Sequence, residues 1–456
     1  MTFVFSVLTA LTMFTELTGA EEPWKSGSAR IKITPTEYIW MSGYGNRDRP
    51  AEGKLTDLWA KATVLEDPRG HQAVLITLDL VGIHRQIAER AFVELSARYQ
   101  LAREQIAFCC SHTHTGPVVG HNLDPLHYRQ INATEQKKID RFTRMLNGQI
   151  VEVVDRAMAK KVACKLTWGS GTSTFAVNRR QNRPEAEVPQ RRVAGTLTGP
   201  FDHDVPVLAV HDMDGNLKTV VFGYACHATV LSFYQWSGDY PGFAQIELEK
   251  SHPGCLAMFW AGCGADQNPL PRRTVELAQH YGRRLADAVD AVLLTSQMTE
   301  VVGTLQTAYR EIDLAFDDLP TKEDLERQAQ SGNRFEVARA NMLLEQVNAG
   351  QPLQQNYPYP VSLWKIGDDI QFISLGGEVV VDFAIRLKAE LAGMKTWVAG
   401  YSNDVMAYIP SRRVLIEGGY EGEGAMVYYG LPTKWSLDVE ESIVREVHRQ
   451  IQERKN

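Results

Sequence analysis

The chain has 456 residues, 44% of them hydrophobic and 23% charged, with a formal net charge of −7. Such a length can bury a large core, and the composition is that of a globular protein. A charge of −7 spread over this length leaves no basic footprint, which excludes nucleic acid as a partner.

In chain order, residues 3–14 form an apolar run, and Leu17-Thr18-Gly19-Ala20 supplies small residues ahead of Glu21-Glu22. This reads as a secretory signal peptide cleaved after Ala20, with the working domain over 21–456 and export to the periplasm or the medium. No other segment approaches ~20 unbroken apolar residues, so the sequence predicts no membrane span. Strand-like runs recur at 29–33, 59–65, 73–80, 106–110, 205–210, 220–226, 256–260 and 371–375, with Asp214-Gly215 as a hairpin turn. Helical patterns alternate with them at 85–99, 136–159, 243–250, 275–294, 322–348, 379–391 and 438–452. This alternation predicts an α/β fold of mixed β-sheets flanked by helices, in a single large domain. The polar stretch 311–355 reads as an excursion from that domain. Cys109, Cys110, Cys164, Cys226, Cys255 and Cys263 contain no C-x-x-C pair, and Cys109, Cys226 and Cys255 sit in apolar runs as small hydrophobes.

Chemistry in such sheets gathers outside the carboxyl ends of strands. The run 106–110 leads into Ser111-His112-Thr113-His114-Thr115-Gly116-Pro117. On a continuing strand, His112 and His114 would project from one face. The run 220–226 leads into His227, and 256–260 into Gly262-Cys263-Gly264-Ala265-Asp266-Gln267-Asn268-Pro269. After 371–375 comes Gly376-Gly377-Glu378, and after 396–400 comes Tyr401-Ser402-Asn403-Asp404. Each has an ordinary structural reading: a core histidine, a first-turn acid, a turn or cap residue. Their joint occurrence at successive strand ends points instead to one site.

The chain resembles the neutral/alkaline non-lysosomal ceramidase family, in its N-terminal catalytic domain. The resemblance runs from about residue 29 to about 432. It is carried by Ile33-Thr34-Pro35, Met41-Ser42-Gly43-Tyr44-Gly45, the His112/His114 segment, Asn178-Arg179, Ala225-Cys226-His227-Ala228-Thr229, Ser237-Gly238-Asp239-Tyr240-Pro241-Gly242, Gly377-Glu378 and Tyr401-Ser402-Asn403. It implies one Zn²⁺ per chain held by His112, His227, Glu378 and Tyr408. It further implies His114 as an acid–base helper, Arg179 holding an oxyanion or hydroxyl, and Asp266 and Tyr420 shaping the site. The donor set suits zinc with a position left for water, which such an ion activates toward a carbonyl.

Two departures stand out. Asn268 falls where the family carries a serine, and an amide cannot act as an activated hydroxyl nucleophile. The chain also ends ahead of the family's C-terminal immunoglobulin-like domain. The expectation is therefore a zinc-dependent amidohydrolase acting by metal-activated water on a small-molecule or lipid-like N-acyl substrate. Contact with membranes would be transient. The alternatives are a catalytically silent zinc-containing binding protein or an esterase on small acyl substrates.

Overall fold

A computed structural model describes residues 22–294 and 298–454; the expected signal peptide lies outside the described residues. The larger sheet contains β1 (Trp24–Lys32), β2 (Trp59–Glu66), β3 (Gln72–Leu78), β4 (Ile106–Cys110), β5 (Val162–Thr172), β6 (Asp204–Asp212), β7 (Leu217–Tyr224) and β8 (Leu256–Ala261). Their order across the sheet is β8-β7-β6-β5-β1-β2-β3-β4, with the short strand Thr299–Glu300 paired onto β5. The middle is antiparallel, whereas β3/β4 and β7/β8, the pairs at the two ends, are parallel. Parallel neighbours need a crossover, supplied by α1 (Arg85–Tyr99) at one end and α3 (Asp239–Ser251) at the other.

Strand alternation divides the apolar residues between the two faces. Val74, Ile76 and Leu78 pack with Leu146 and Ile150 of α2 (Ala133–Met158). Ala73 and Leu75 join the cluster holding Leu248 of α3 and Leu285 and Val289 of α4 (Val275–Leu294). A second sheet, in the order β9-β10-β11-β12, consists of β9 (Leu305–Ala315), β10 (Asn356–Ile366), β11 (Ile370–Leu375) and β12 (Lys395–Ala399). Leu363, Ile373 and Val398 from this sheet bury against Phe383 and Leu387 of α7 (Val381–Glu390) and Val447 of α8 (Val439–Glu453).

β4 and β8 stand at opposite ends of the strand order, yet the fold brings them together. The Ala261 N–H donates to Cys109 Sγ at 3.3 Å. The chain leaving β12 bridges both, with Ser402 paired to Cys109 and Ala399 to Gly262. The carboxyl ends of β4, β7, β8, β11 and β12 thus face one region.

The α/β architecture with mixed sheets and flanking helices is as expected. Several local expectations differ. The strand at 106–110 stops at Cys110, and His112 adopts φ +59, so His112 and His114 are not alternate residues of a strand. The pattern at 322–348 forms two helices, α5 (Lys322–Gln328) and α6 (Arg334–Asn348). The helix expected from 379 begins at Val381, because Glu378–Val379 is a short strand. β5, β9 and β10 were not apparent in the sequence pattern. Only two of the eleven β9 residues are buried, and β10 carries Pro358 and Pro360 in the part that pairs with β9 alone. All six cysteines are buried and unpaired. Among the described residues no helix is long and apolar enough to cross a membrane.

Candidate metal centre

The carboxyl ends of β4 and β7 deliver His112 and His227, which arrive from opposite halves of the sheet with ring centroids 4.7 Å apart. The Nδ1 atom of His112 lies 2.6 Å from the Val81 carbonyl oxygen, and that of His227 lies 2.8 Å from Gly264 O. A carbonyl only accepts, so each Nδ1 carries a proton, and in the neutral ring Nε2 is the atom with the lone pair. Both Nε2 atoms lie 3.1 Å from Glu378 Oε2.

Glu378 is placed by β11 through Gly376-Gly377. Gly377 adopts φ +73, and a Cβ there would stand 2.7 Å from the Ala407 carbonyl oxygen. The turn sets Glu378–Val379 parallel to Tyr408–Ile409, with Glu378 opposite Tyr408. Tyr408 Oη consequently lies 3.3 Å from His227 Nε2. Tyr429 donates to Glu378 Oε1. Oε2 has no hydrogen-bond donor of its own among the described residues.

Burial, then Arg179, pushes His227 down to about 4, so its imidazole is neutral near pH 7. Burial works against ionisation of Glu378, whereas positive charge at His112 and His227 would hold its carboxyl well below the usual carboxylate range. Burial and the Glu378 charge push the Tyr408 phenol well up, opposed by Arg179. Two imidazole lone pairs and an unpartnered carboxylate oxygen converging in a buried space repel one another unless a cation joins them. Two ligands of one tetrahedral ion at zinc–nitrogen distances stand about 3.3 Å apart. The spacing seen here is close to that, and neutral imidazole with carboxylate is a set zinc accepts, so the residues fit the ion.

His114 joins the group by a different route. Its Nε2 is 3.1 Å from His112 Nε2, and the ligating nitrogens of His112, His114 and His227 all lie within 4.8 Å of one another. The turn beyond β4, rather than strand alternation, brings the pair together. Burial and the two neighbouring histidines push His114 well below the usual range, and its Nδ1 has no partner among the described residues. The ring packs at 4.8 Å against Tyr44. Gly43 makes room for it, since a Cβ there would lie 2.5 Å from His114 Cγ.

Arg179 donates from Nη2 to Tyr408 Oη at 3.1 Å and from Nε to Glu421 Oε1 at 2.7 Å. Its Nη1 is 3.4 Å from Asn268 Oδ1. Tyr420 packs its ring edge-on to Tyr408 at 5.2 Å. Asp266 sits behind the wall: Oδ1 accepts from Val381 N and Oδ2 from Asn178 Nδ2, each at 2.9 Å. Both of its oxygens are thus used in bracing the start of α7 and the strand bearing Asn178. Sequence reasoning missed Tyr429 and Glu421 and gave no role to Tyr44, which it quoted only within the segment 41–45; none of the three follows a strand-like run. A cleft of about 750 Å³ opens over His114, His227, Arg179 and Tyr408.

A single-domain α/β scaffold of mixed sheets carrying a buried pocket of three histidines and one carboxylate is the class these features define. The family profile described as neutral/alkaline non-lysosomal ceramidase, N-terminal, matches residues 24–259, and the chain belongs to that family. It is 23% identical over 359 residues to the neutral ceramidase of Drosophila pseudoobscura pseudoobscura, covering 65% of this chain and 48% of that one. With the neutral ceramidase of Drosophila melanogaster it shares 25% identity over 243 residues, 50% of this chain and 32% of the relative. The chain therefore spans about half the length of the first and a third of the second. The crystal structure of neutral ceramidase from Pseudomonas aeruginosa superposes with a TM-score of 0.71 at 19% identity, over 94% of this chain and 74% of that one. This likeness is one of fold.

Proposed function

We propose that this chain is a zinc-dependent hydrolase that cleaves the amide bond of an N-acyl substrate, acting outside the cytoplasm as an exported protein. The observation that carries the reading is the buried Glu378 Oε2, without a donor and 3.1 Å from two histidine Nε2 atoms. His112, His227, Glu378 and Tyr408 would hold one Zn²⁺. When bound, such an ion polarises a carbonyl and lowers the pKa of water.

The remaining chemistry falls to the side chains. Val81 O and Gly264 O keep both ligand imidazoles in one tautomer, and Tyr429 fixes the Glu378 carboxylate from its other oxygen. His114 is neutral, and its Nε2, 3.1 Å from His112 Nε2, is the ring atom that faces the site and takes up the proton that water loses as the new C–O bond forms. It then passes that proton to the amine nitrogen as the C–N bond breaks. Arg179 anchors Tyr408 Oη and places positive charge on the wall where the carbonyl oxygen becomes negative. Asp266 and Tyr420 support this wall. Asn268, beside Arg179, supplies no nucleophile. The names of the relatives support an amide of the ceramide type; the chemistry at the metal centre requires only an N-acyl group.

A panel of N-acyl amides and matched esters, assayed with and without a zinc chelator, tests the reading. Amide hydrolysis lost to the chelator and restored by Zn²⁺ is expected. Turnover indifferent to the chelator, or confined to esters, contradicts it, and zinc binding with no turnover identifies a silent binding protein.

A further inference from the structure

Asn268, like His227, is buried and still lines the cleft over the metal centre. It sits on the short strand Gln267–Pro269, opposite Val177 of the strand Ala176–Asn178. The backbone on its N-terminal side is shared with the site. Gln267 O accepts from His227 N at 3.0 Å, and Asp266 O accepts from Arg179 N at 2.8 Å. Asn268 is thus carried on the same ladder that fixes one histidine of the metal centre and the arginine of its wall.

Its side chain is oriented but not used up. An arginine only donates and a carboxylate only accepts, so Oδ1 faces Arg179 Nη1 and Nδ2 faces Glu185 Oε1, each at 3.4 Å. Both contacts are longer than the roughly 2.7–3.2 Å of a full N–H···O bond. Glu185 is held more closely by Arg272, at 3.0 and 2.6 Å. An amide nitrogen carries a second proton, and here that proton has no acceptor among the described residues. Arg179 in turn reaches from Asn268 to the metal centre. Its Nη2 donates to Tyr408 Oη at 3.1 Å, and that oxygen lies 3.3 Å from His227 Nε2. A half-used carboxamide donor is therefore linked to the metal centre through one guanidinium. A buried donor without a full set of partners is unfavourable, and an acceptor entering the cleft relieves it.

We propose that Asn268 is a catalytic residue whose Nδ2 donates to the carbonyl oxygen of the scissile amide and holds it more strongly as that oxygen becomes negative. The inference rests on the amide-hydrolase reading for the reaction itself. The oxygen of water bonds to the acyl carbon, the C=O π pair moves onto the carbonyl oxygen facing Asn268, and a proton of water goes to His114. The pair then re-forms C=O, the C–N bond breaks and the amine leaves with that proton. Fixed donors aimed at developing negative charge act on the transition state more than on the bound substrate. Arg179, shared among Glu421, Tyr408 and Asn268, supplies charge to this wall; Asn268 supplies the directed, uncharged donor.

Asn268→Ala tests it on the zinc-loaded full chain, matched to the parent in melting temperature. Two probes are titrated by calorimetry: methyl octylphosphonate, an anionic tetrahedral mimic of the developing oxyanion, and N-methyloctanamide, the neutral ground-state amide. The phosphonate is expected to bind the variant at least about tenfold more weakly than the parent. The amide should bind both within about threefold, with zinc content unchanged. On an N-acyl amide that the parent hydrolyses, kcat should fall by roughly 10²–10³-fold while KM holds within about threefold. If the alanine variant does not fold, Asn268→Leu, similar in shape and without the donor, carries the same expectations. Undiminished phosphonate binding overturns the proposal, as does a parent that does not bind the phosphonate. Equal loss of both probes, or loss of zinc, overturns it too, because a strut and not a donor has then been removed. Selective loss of phosphonate binding in a chain that hydrolyses no amide would contradict only the amidase reading. Amide hydrolysis unimpaired in the variant would contradict only the present one.

Discussion

Glu378 is gripped differently at its two oxygens, and the difference separates ligand from support. Oε2 faces two histidine nitrogens, while Oε1 accepts from the Tyr429 phenol. Partners that orient a ligating carboxylate typically change metal affinity by about 10–100-fold when removed. Tyr429→Phe should therefore weaken zinc binding by about that factor, as read by competition with a chromophoric chelator, while the fold survives. Unchanged affinity would remove Tyr429 from the site. At this scale the sequence was informative for His112, His227 and Glu378, because each follows an apolar run where a strand must end. Tyr429 was illegible: it lies on the single helical turn Met426–Tyr429, and only the tertiary fold decides which carboxylate it meets. The predicted strand geometry for His112 and His114 failed for a local reason. The backbone turns left-handed at His112, and the two rings meet through that turn.

Among the elements, the two-residue parallel pairing of Glu378–Val379 with Tyr408–Ile409 positions a carboxylate beside a phenol. It depends on Gly377, whose φ of +73 and lack of a Cβ let the Ala407 carbonyl come close. Gly377→Ala should destabilise the protein by about 1–3 kcal/mol and loosen metal binding with it, measured by urea unfolding with and without zinc. A variant as stable as the parent would show that the turn is not strained. Buried strands and amphipathic helices could be read from periodicity because their apolar residues repeat on one face. β9 could not, since only two of its eleven residues are buried, and β10 was obscured by Pro358 and Pro360. The division of 322–348 did leave a trace in Ser331-Gly332-Asn333, where Asn333 caps the second helix by accepting from Phe335 N at 3.0 Å.

For the molecule as a whole, the site exists because a sheet curls until its two edge strands touch, a non-local event that no window of sequence records. His127 belongs to the same assembled interior: its Nε2 accepts from Gly43 N at 3.0 Å, and burial, then Arg47 and Arg334, pushes it down to about 3. The unfolded chain binds that proton below pH about 6.5, the ordinary histidine value. The associated stability is therefore complete above about 6.5 and is lost as the pH falls toward 3, at about 1.4 kcal/mol per unit. His127→Gln should flatten the acid limb of a plot of unfolding free energy against pH between 6 and 4, and an unaltered slope would refute this assignment. The central claim is that strand ends from opposite edges of the sheet build one zinc site. Elemental analysis of the purified, dialysed protein tests it most directly. The account predicts close to one zinc per chain, falling to near zero in both His112→Ala and His227→Ala; zinc content unchanged in both variants would contradict it.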